Sequence, residues 1–120
     1  MHELSVAHAL TGAVEEALPA GAGPVREVHV RIGVLSGVVA QALEFAYEIA
    51  VADTRLEGSD LVVEVVPLSI HCATCDAIRV LPGTTSFRCP SCGTPSGDIR
   101  GGREVELVRV VLEDLTEAAS

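Results

Sequence analysis

Cys72-Ala-Thr-Cys75 and Cys89-Pro-Ser-Cys92-Gly93 set four sulfur donors in two close pairs, separated by 13 residues, and use every cysteine in the chain. Four thiolates so spaced surround one tetrahedral ion with metal–sulfur bonds of about 2.3 Å, the pattern of a zinc ribbon. Each pair predicts a knuckle whose backbone N–H groups point at sulfur, and Gly93 suits a positive-φ position just after the second pair. A rubredoxin-like iron site and a redox dithiol are competing uses of the same residues. The dithiol is disfavoured because two pairs occur together. A four-sulfur zinc shell is closed, so this metal is structural and any working chemistry lies elsewhere.

A second potential donor set stands at the other end of the chain, in Met1-His2-Glu3. With histidine at position two, a free α-amine, the His2 amide nitrogen and the His2 imidazole close consecutive five- and six-membered chelate rings. The Glu3 amide or carboxylate supplies a fourth donor. Planar nitrogen ligation suits Ni(II) or Cu(II) and disfavours Zn(II). Amines ordinarily titrate near about 7.7–8.0 and imidazoles near about 6.5, and both must lose protons to bind, so affinity falls with pH. The same residue also reads as a terminal histidine with no ligand role, and spacing alone does not separate the two. His8 and His29 read as surface or structural residues. His71 abuts Cys72, either as a spectator or as a ligand exchanging with a thiolate. No serine–histidine–acid grouping, P-loop or nucleotide fingerprint supports a hydrolase or a kinase.

The 120 residues suffice for one modest domain with a metal-stapled appendage. One Tyr, two Phe and no Trp make the core aliphatic. The net charge of −9, with eight Arg and no Lys, argues against nucleic acid, whose phosphates need a basic surface. Arg79 and Arg88 lie inside the ribbon, where they partly offset the thiolate charge. No apolar run approaches the roughly 18 residues of a membrane span, and the start resembles no signal peptide. A cytoplasmic protein is expected, in a reducing compartment that favours metal ligation over disulfides.

The elements that must position these groups follow from periodicity. Leu4–Leu18 predicts a helix with Val6, Leu10, Ala13, Val14 and Ala17 on one stripe, ended by the Pro19–Pro24 segment. Val25–Leu35 alternates as a half-buried strand, with Val28, Val30, Ile32 and Val34 on one face and His29 and Arg31 on the other. A second helix runs from about Ala40 to Asp53, with Leu43, Ala46, Tyr47 and Ala50 buried. Leu61–Pro67 is a second strand and Glu104–Glu113 a third. The ribbon holds short extended pieces at Ala77–Val80 and Ser86–Arg88, joined through a turn at Leu81-Pro82-Gly83. The acidic tail from Glu113 to Ser120 is expected to fray. The result is an α+β fold, two helices packed on a three-stranded sheet. The discontinuous domain comprises 1–69 and 98–120, with a zinc-ribbon domain inserted at 70–97.

Met1-His2-Glu3-Leu4-Ser5, Val30-Arg31-Ile32-Gly33-Val34-Leu35-Ser36-Gly37, Leu43-Glu44-Phe45-Ala46-Tyr47-Glu48, Leu61 to Pro67, both CxxC pairs and Gly102-Arg103-Glu104-Val105-Glu106-Leu107 together resemble the HypA/HybF family of nickel-insertion accessory proteins for [NiFe]-hydrogenase maturation. The resemblance runs through most of the chain in the family's order. It implies a non-catalytic metallochaperone with Ni(II) as cargo and structural Zn(II). His2 is then the essential nickel ligand, Met1 and Glu3 contribute further donors, and Cys72, Cys75, Cys89 and Cys92 hold zinc. It also implies a HypB-like GTPase partner, delivery to the hydrogenase large-subunit precursor, and a monomer or weak homodimer. Where some relatives carry a histidine just after a CxxC pair, this chain has Asp76 and Gly93. The rival reading is a zinc-ribbon interaction adaptor without nickel.

Overall fold

The computed structural model describes residues 2–113; Met1 and the expected fraying from 114 onward lie outside the described residues. Helix α1 spans Glu3–Ala17 and is followed by strand β1, Val25–Gly33. Helix α2 spans Ala40–Val51 and leads to strand β2, Asp60–Val66. Three short strands follow, β3 at Ser69–Cys72, β4 at Ala77–Val80 and β5 at Ile99–Gly101. Strand β6, Val105–Leu112, completes the order.

The large sheet has the order β2-β1-β6. Strand β2 runs parallel to β1, a pairing that requires a crossover, and α2 is that crossover. Strand β6 is antiparallel to β1, with register shifts between Val25 and Glu27 and between His29 and Val30. Both helices lie on one face of the sheet. Val28, Val30 and Ile32 of β1 meet Val6, Leu10 and Val14 of α1 and Leu43, Tyr47 and Val51 of α2 in one aliphatic core. Each such side chain contributes about 1.5–3 kcal/mol by leaving water. The opposite face sets His29 against Glu27 at 2.9 Å and Arg31 between Glu64 and Glu106, beside the exposed Val62 of β2.

The α2 stripe of Leu43, Ala46, Tyr47 and Ala50 is buried as periodicity predicts. The α1 stripe is rotated: Val6, Ala7, Leu10, Thr11 and Val14 are buried, whereas Ala13 and Ala17 are exposed. Ala13 faces an open groove of about 430 Å³ between α1 and β6. Thr11 is tolerated inside because its hydroxyl donates to the Ala7 carbonyl at 2.8 Å. Val34 lies past the end of β1 and is exposed. Leu56, fully buried from the loop after α2, carried no periodic signal.

The second sheet, in the order β4-β3-β5, holds the cysteines. Ala77–Val80 is a strand as expected, paired with β3 so that Cys72 faces Ala77. Ser86–Arg88 is not: a single bridge links Arg88 to Pro95. The extra pairing comes from β5, whose Ile99 aligns with Ile70. A small second core of Leu68, Ile70 and Leu81 is padded by Phe87, Ile99 and Leu35 from the loop after β1.

The two sheets meet at a glycine seam. The Gly33 N–H donates to the Glu104 carbonyl at 2.7 Å and the Leu35 N–H to the Gly102 carbonyl at 2.6 Å. A Cβ on Gly33 would overlap the Gly102 carbonyl, so the backbones approach only because Gly33 has no side chain.

Candidate metal centre

Cys72 closes β3 and Cys75 follows in the tight turn to β4, where the Cys75 N–H donates to the Cys72 sulfur at 3.4 Å. Asp76 takes φ +50, the left-handed conformation that ends this first knuckle. The second knuckle repeats the device: Gly93 has φ +79, and its N–H donates to the Cys89 carbonyl at 2.8 Å. The sequence flagged Gly93 for this role. Asp76 occupies the matching place after Cys75, and aspartate is among the few residues that adopt it readily.

The two knuckles bring all four sulfurs within 4.8 Å of one another. Cys72 and Cys92 are 3.5 Å apart, Cys75 and Cys89 3.9 Å. A tetrahedron with metal–sulfur bonds of about 2.3 Å has edges of about 3.8 Å, so the cluster is sized for a four-sulfur ion. The donor set fits. All four thiols are free, and no disulfide competes for them.

Electrostatics divide the thiols. Backbone N–H groups of Cys92 and Ser91 hold the Cys89 thiol down to about 6. The side-chain hydrogen bond between the Cys92 sulfur and the Thr94 hydroxyl, 3.2 Å apart, holds Cys92 below the usual thiol range. For Cys75 the largest influence is the Arg79 guanidinium, which favours the thiolate. The neighbouring sulfurs and burial outweigh it and push the thiol up to about 11. A divalent ion held by these four sulfurs would reverse that repulsion by favouring the thiolate form of each.

His71 is not one of the clustered donors. Its Nε2 lies 3.2 Å from Asp76 Oδ1 and its Nδ1 3.7 Å from Asp98 Oδ2, so carboxylates engage both ring nitrogens. Asp98 is held below the usual carboxylate range by Arg100, whose guanidinium donates to both its oxygens at 2.8 and 2.9 Å.

Of the proposed N-terminal donors, Met1 lies outside the described residues. His2 is exposed and is the N-cap of α1, but its side chain makes no capping hydrogen bond. Its carbonyl accepts the Val6 N–H at 3.1 Å. Glu3 opens the helix as the only acidic residue of the first turn. The first amides of a helix have no intrahelical partner, so those of His2 and Glu3 are not committed to the α1 ladder. His8 is exposed on the same helix.

The sequence model of a family described as hydrogenase/urease nickel incorporation, metallochaperone, hypA, matches residues 1–112. A hydrogenase maturation factor HypA of Roseiflexus sp. (strain RS-1) is 49% identical over 121 aligned residues, covering 100% of this chain and 98% of that protein. One from Chloroflexus aggregans is 47% identical over 109 residues, covering 90% and 96%. Among solved structures, the Ni metallochaperone HypA from Helicobacter pylori superposes with a TM-score of 0.65, covering 93% of this chain and 97% of that one. At 23% identity that likeness is one of fold.

Proposed function

The chain belongs to the HypA family of nickel-incorporation metallochaperones, and from that premise we propose that it binds Ni(II) at a free N-terminus and helps insert it into the [NiFe]-hydrogenase large subunit during maturation. The observation that carries this reading is the placement of His2. It stands exposed at the head of α1, with its imidazole unspent on capping and its amide outside the helical ladder. Met1 supplies the α-amine, His2 its amide and imidazole nitrogens, and Glu3 an amide or carboxylate. Bare N–H groups at a helix N-terminus repel a cation; loss of amide protons and the Glu3 carboxylate offset this.

An exposed terminal site gives up its cargo donor by donor as acceptor ligands displace it. No reaction is catalysed. The proposal assigns structural Zn(II) to Cys72, Cys75, Cys89 and Cys92, a role supported by the closed four-sulfur geometry. It treats residues 70–97 as a ribbon inserted in an α+β domain of 1–69 and 98–120; the pairing of β5 with β3 supports extending the ribbon's sheet slightly outward. The partners are a HypB-like GTPase and the large-subunit precursor, met in the cytoplasm by a monomer or weak homodimer. Among the described residues no helix is long and apolar enough to cross a membrane.

Nickel titration of zinc-loaded protein by calorimetry tests the reading. One Ni(II) per chain is expected, lost in His2→Ala and lost again when residues are added before Met1. Equal binding by extended and unextended protein would sink the N-terminal assignment. An absence of nickel binding in any form would leave the zinc-ribbon adaptor.

A further inference from the structure

Helix α2 is apolar on two sides. Leu43, Ala46, Tyr47 and Ala50 enter the core, while Phe45 and Ile49 stand 67% and 55% exposed. Exposed apolar side chains scattered singly are ordinary, but these two lie one turn apart on one helix face. Ala42 and the N-cap Val39, itself 60% exposed, continue the row at three-residue spacing toward the helix start. A contiguous apolar row on a helix whose other side is already packed marks a contact surface.

The border of the row says what covers it. Glu44 and Glu48 neighbour Phe45 and Ile49 in the helix, which carries no basic residue. Both also line a recess of about 170 Å³ together with Asp60, the first residue of β2. The Tyr47 and Ser59 hydroxyls, 2.6 Å apart, line the same recess. Among the described residues no salt bridge engages Glu44, Glu48 or Asp60. Three carboxylates around one small recess attract a cation carried on a long side chain. A second copy of this chain is a poor occupant. An isologous contact through α2 would set Glu44 and Glu48 against their own symmetry mates.

We propose that the outer face of α2 docks a basic amphipathic helix of another protein, with Phe45 and Ile49 against its apolar stripe and a lysine or arginine entering the recess of Glu44, Glu48 and Asp60. Helix-on-helix packing suits the row, because side chains four residues apart form a ridge. Phe45 is the anchor, since aromatic side chains buried at an interface carry a large share of its binding energy. The carboxylates select the partner and fix its register. Neither metal site takes part in the contact, so its test is independent of the nickel reading.

The test uses full-length, zinc-loaded, isotopically labelled protein and three synthetic peptides of roughly four helical turns. One places leucine and lysine at helical spacing. The second has glutamate for every lysine, and the third has the composition of the first in scrambled order. Amide shifts are followed by nuclear magnetic resonance as each peptide is titrated in. The leucine–lysine helix should move the amides of Glu44, Phe45, Glu48, Ile49 and Asp60 most, and bind at least about tenfold more tightly than either control. Phe45→Ala should weaken it about tenfold, and Glu48→Arg by a similar factor, each with the circular dichroism of wild type. Equal binding of the scrambled peptide, or shifts spread over the whole surface, overturns the proposal as general attraction to a chain of net charge −9. So does wild-type affinity in a folded Phe45→Ala or in Glu48→Arg. Sedimentation of the protein alone covers the remaining occupant: a dimer that Phe45→Ala dissolves would assign the row to a second copy and overturn the proposal.

Discussion

At the scale of the residue, Tyr47 offers a measurement that no other side chain complicates, because it is the single tyrosine in the chain. Its hydroxyl lies 2.6 Å from the Ser59 hydroxyl, which donates in turn to the Leu56 carbonyl. Burial pushes the phenol above its usual 10, against the opposing pull of Ser59. The neutral phenol is thus favoured by the folded state. The stability it lends is complete below the unfolded value near 10 and is lost as pH rises through the raised folded value. Absorbance at 295 nm should show a midpoint above 10 in native protein that falls back in urea. A native midpoint at or below 10 would contradict the buried placement. Tyr47→Phe should cost about 1 kcal/mol in urea unfolding, the ordinary worth of one buried hydrogen bond.

Among the elements, legibility in the sequence followed the strength of periodic burial. Strand β1 and helix α2 each bury one clean face, so Val28, Val30 and Ile32 and the Leu43–Ala50 stripe could be read directly. Strand β4 was legible because the Leu81-Pro82-Gly83 turn bounds it. Strands β3 and β5 were not, since runs of four and three residues carry too little alternation to register. The four cysteines announced their site through spacing alone. The carboxylates that flank His71 depend on how the ribbon folds, which no spacing encodes. The junction at Gly33 was equally silent, because a glycine in a strand looks like a weakness until the second backbone beside it is seen. Gly33→Ala should cost about 3 kcal/mol, the upper range for overpacking, because its Cβ would overlap backbone that cannot rotate away. Urea denaturation checks this; a loss under about 1 kcal/mol would mean the seam is looser than described.

On the scale of the whole molecule, the chain is elongated, 58 × 31 × 20 Å, with the aliphatic core of the large sheet separate from the small one beneath the cysteines. Strand β2 hands over to Leu68, and the chain returns at Gly102, where an added Cβ would lie only 3.1 Å from the Leu68 Cα. Exit and re-entry nearly touch. Replacing 69–101 by a two-residue turn should leave the two helices and the β2-β1-β6 sheet folded, with far-ultraviolet circular dichroism retaining the helical signal and zinc binding abolished. Collapse of that signal would show that the large sheet depends on the ribbon. The same near-contact bears on how fast the protein is made. Strand β6 cannot pair with β1 until the intervening segment has been synthesised and its ends brought together, and that closure carries an entropic penalty that grows with the loop. If the four cysteines hold zinc as proposed, a metal that clamps the ribbon early would tie those ends for the chain, and zinc supply would then control folding speed and how long a nascent, edge-exposed sheet waits among other proteins.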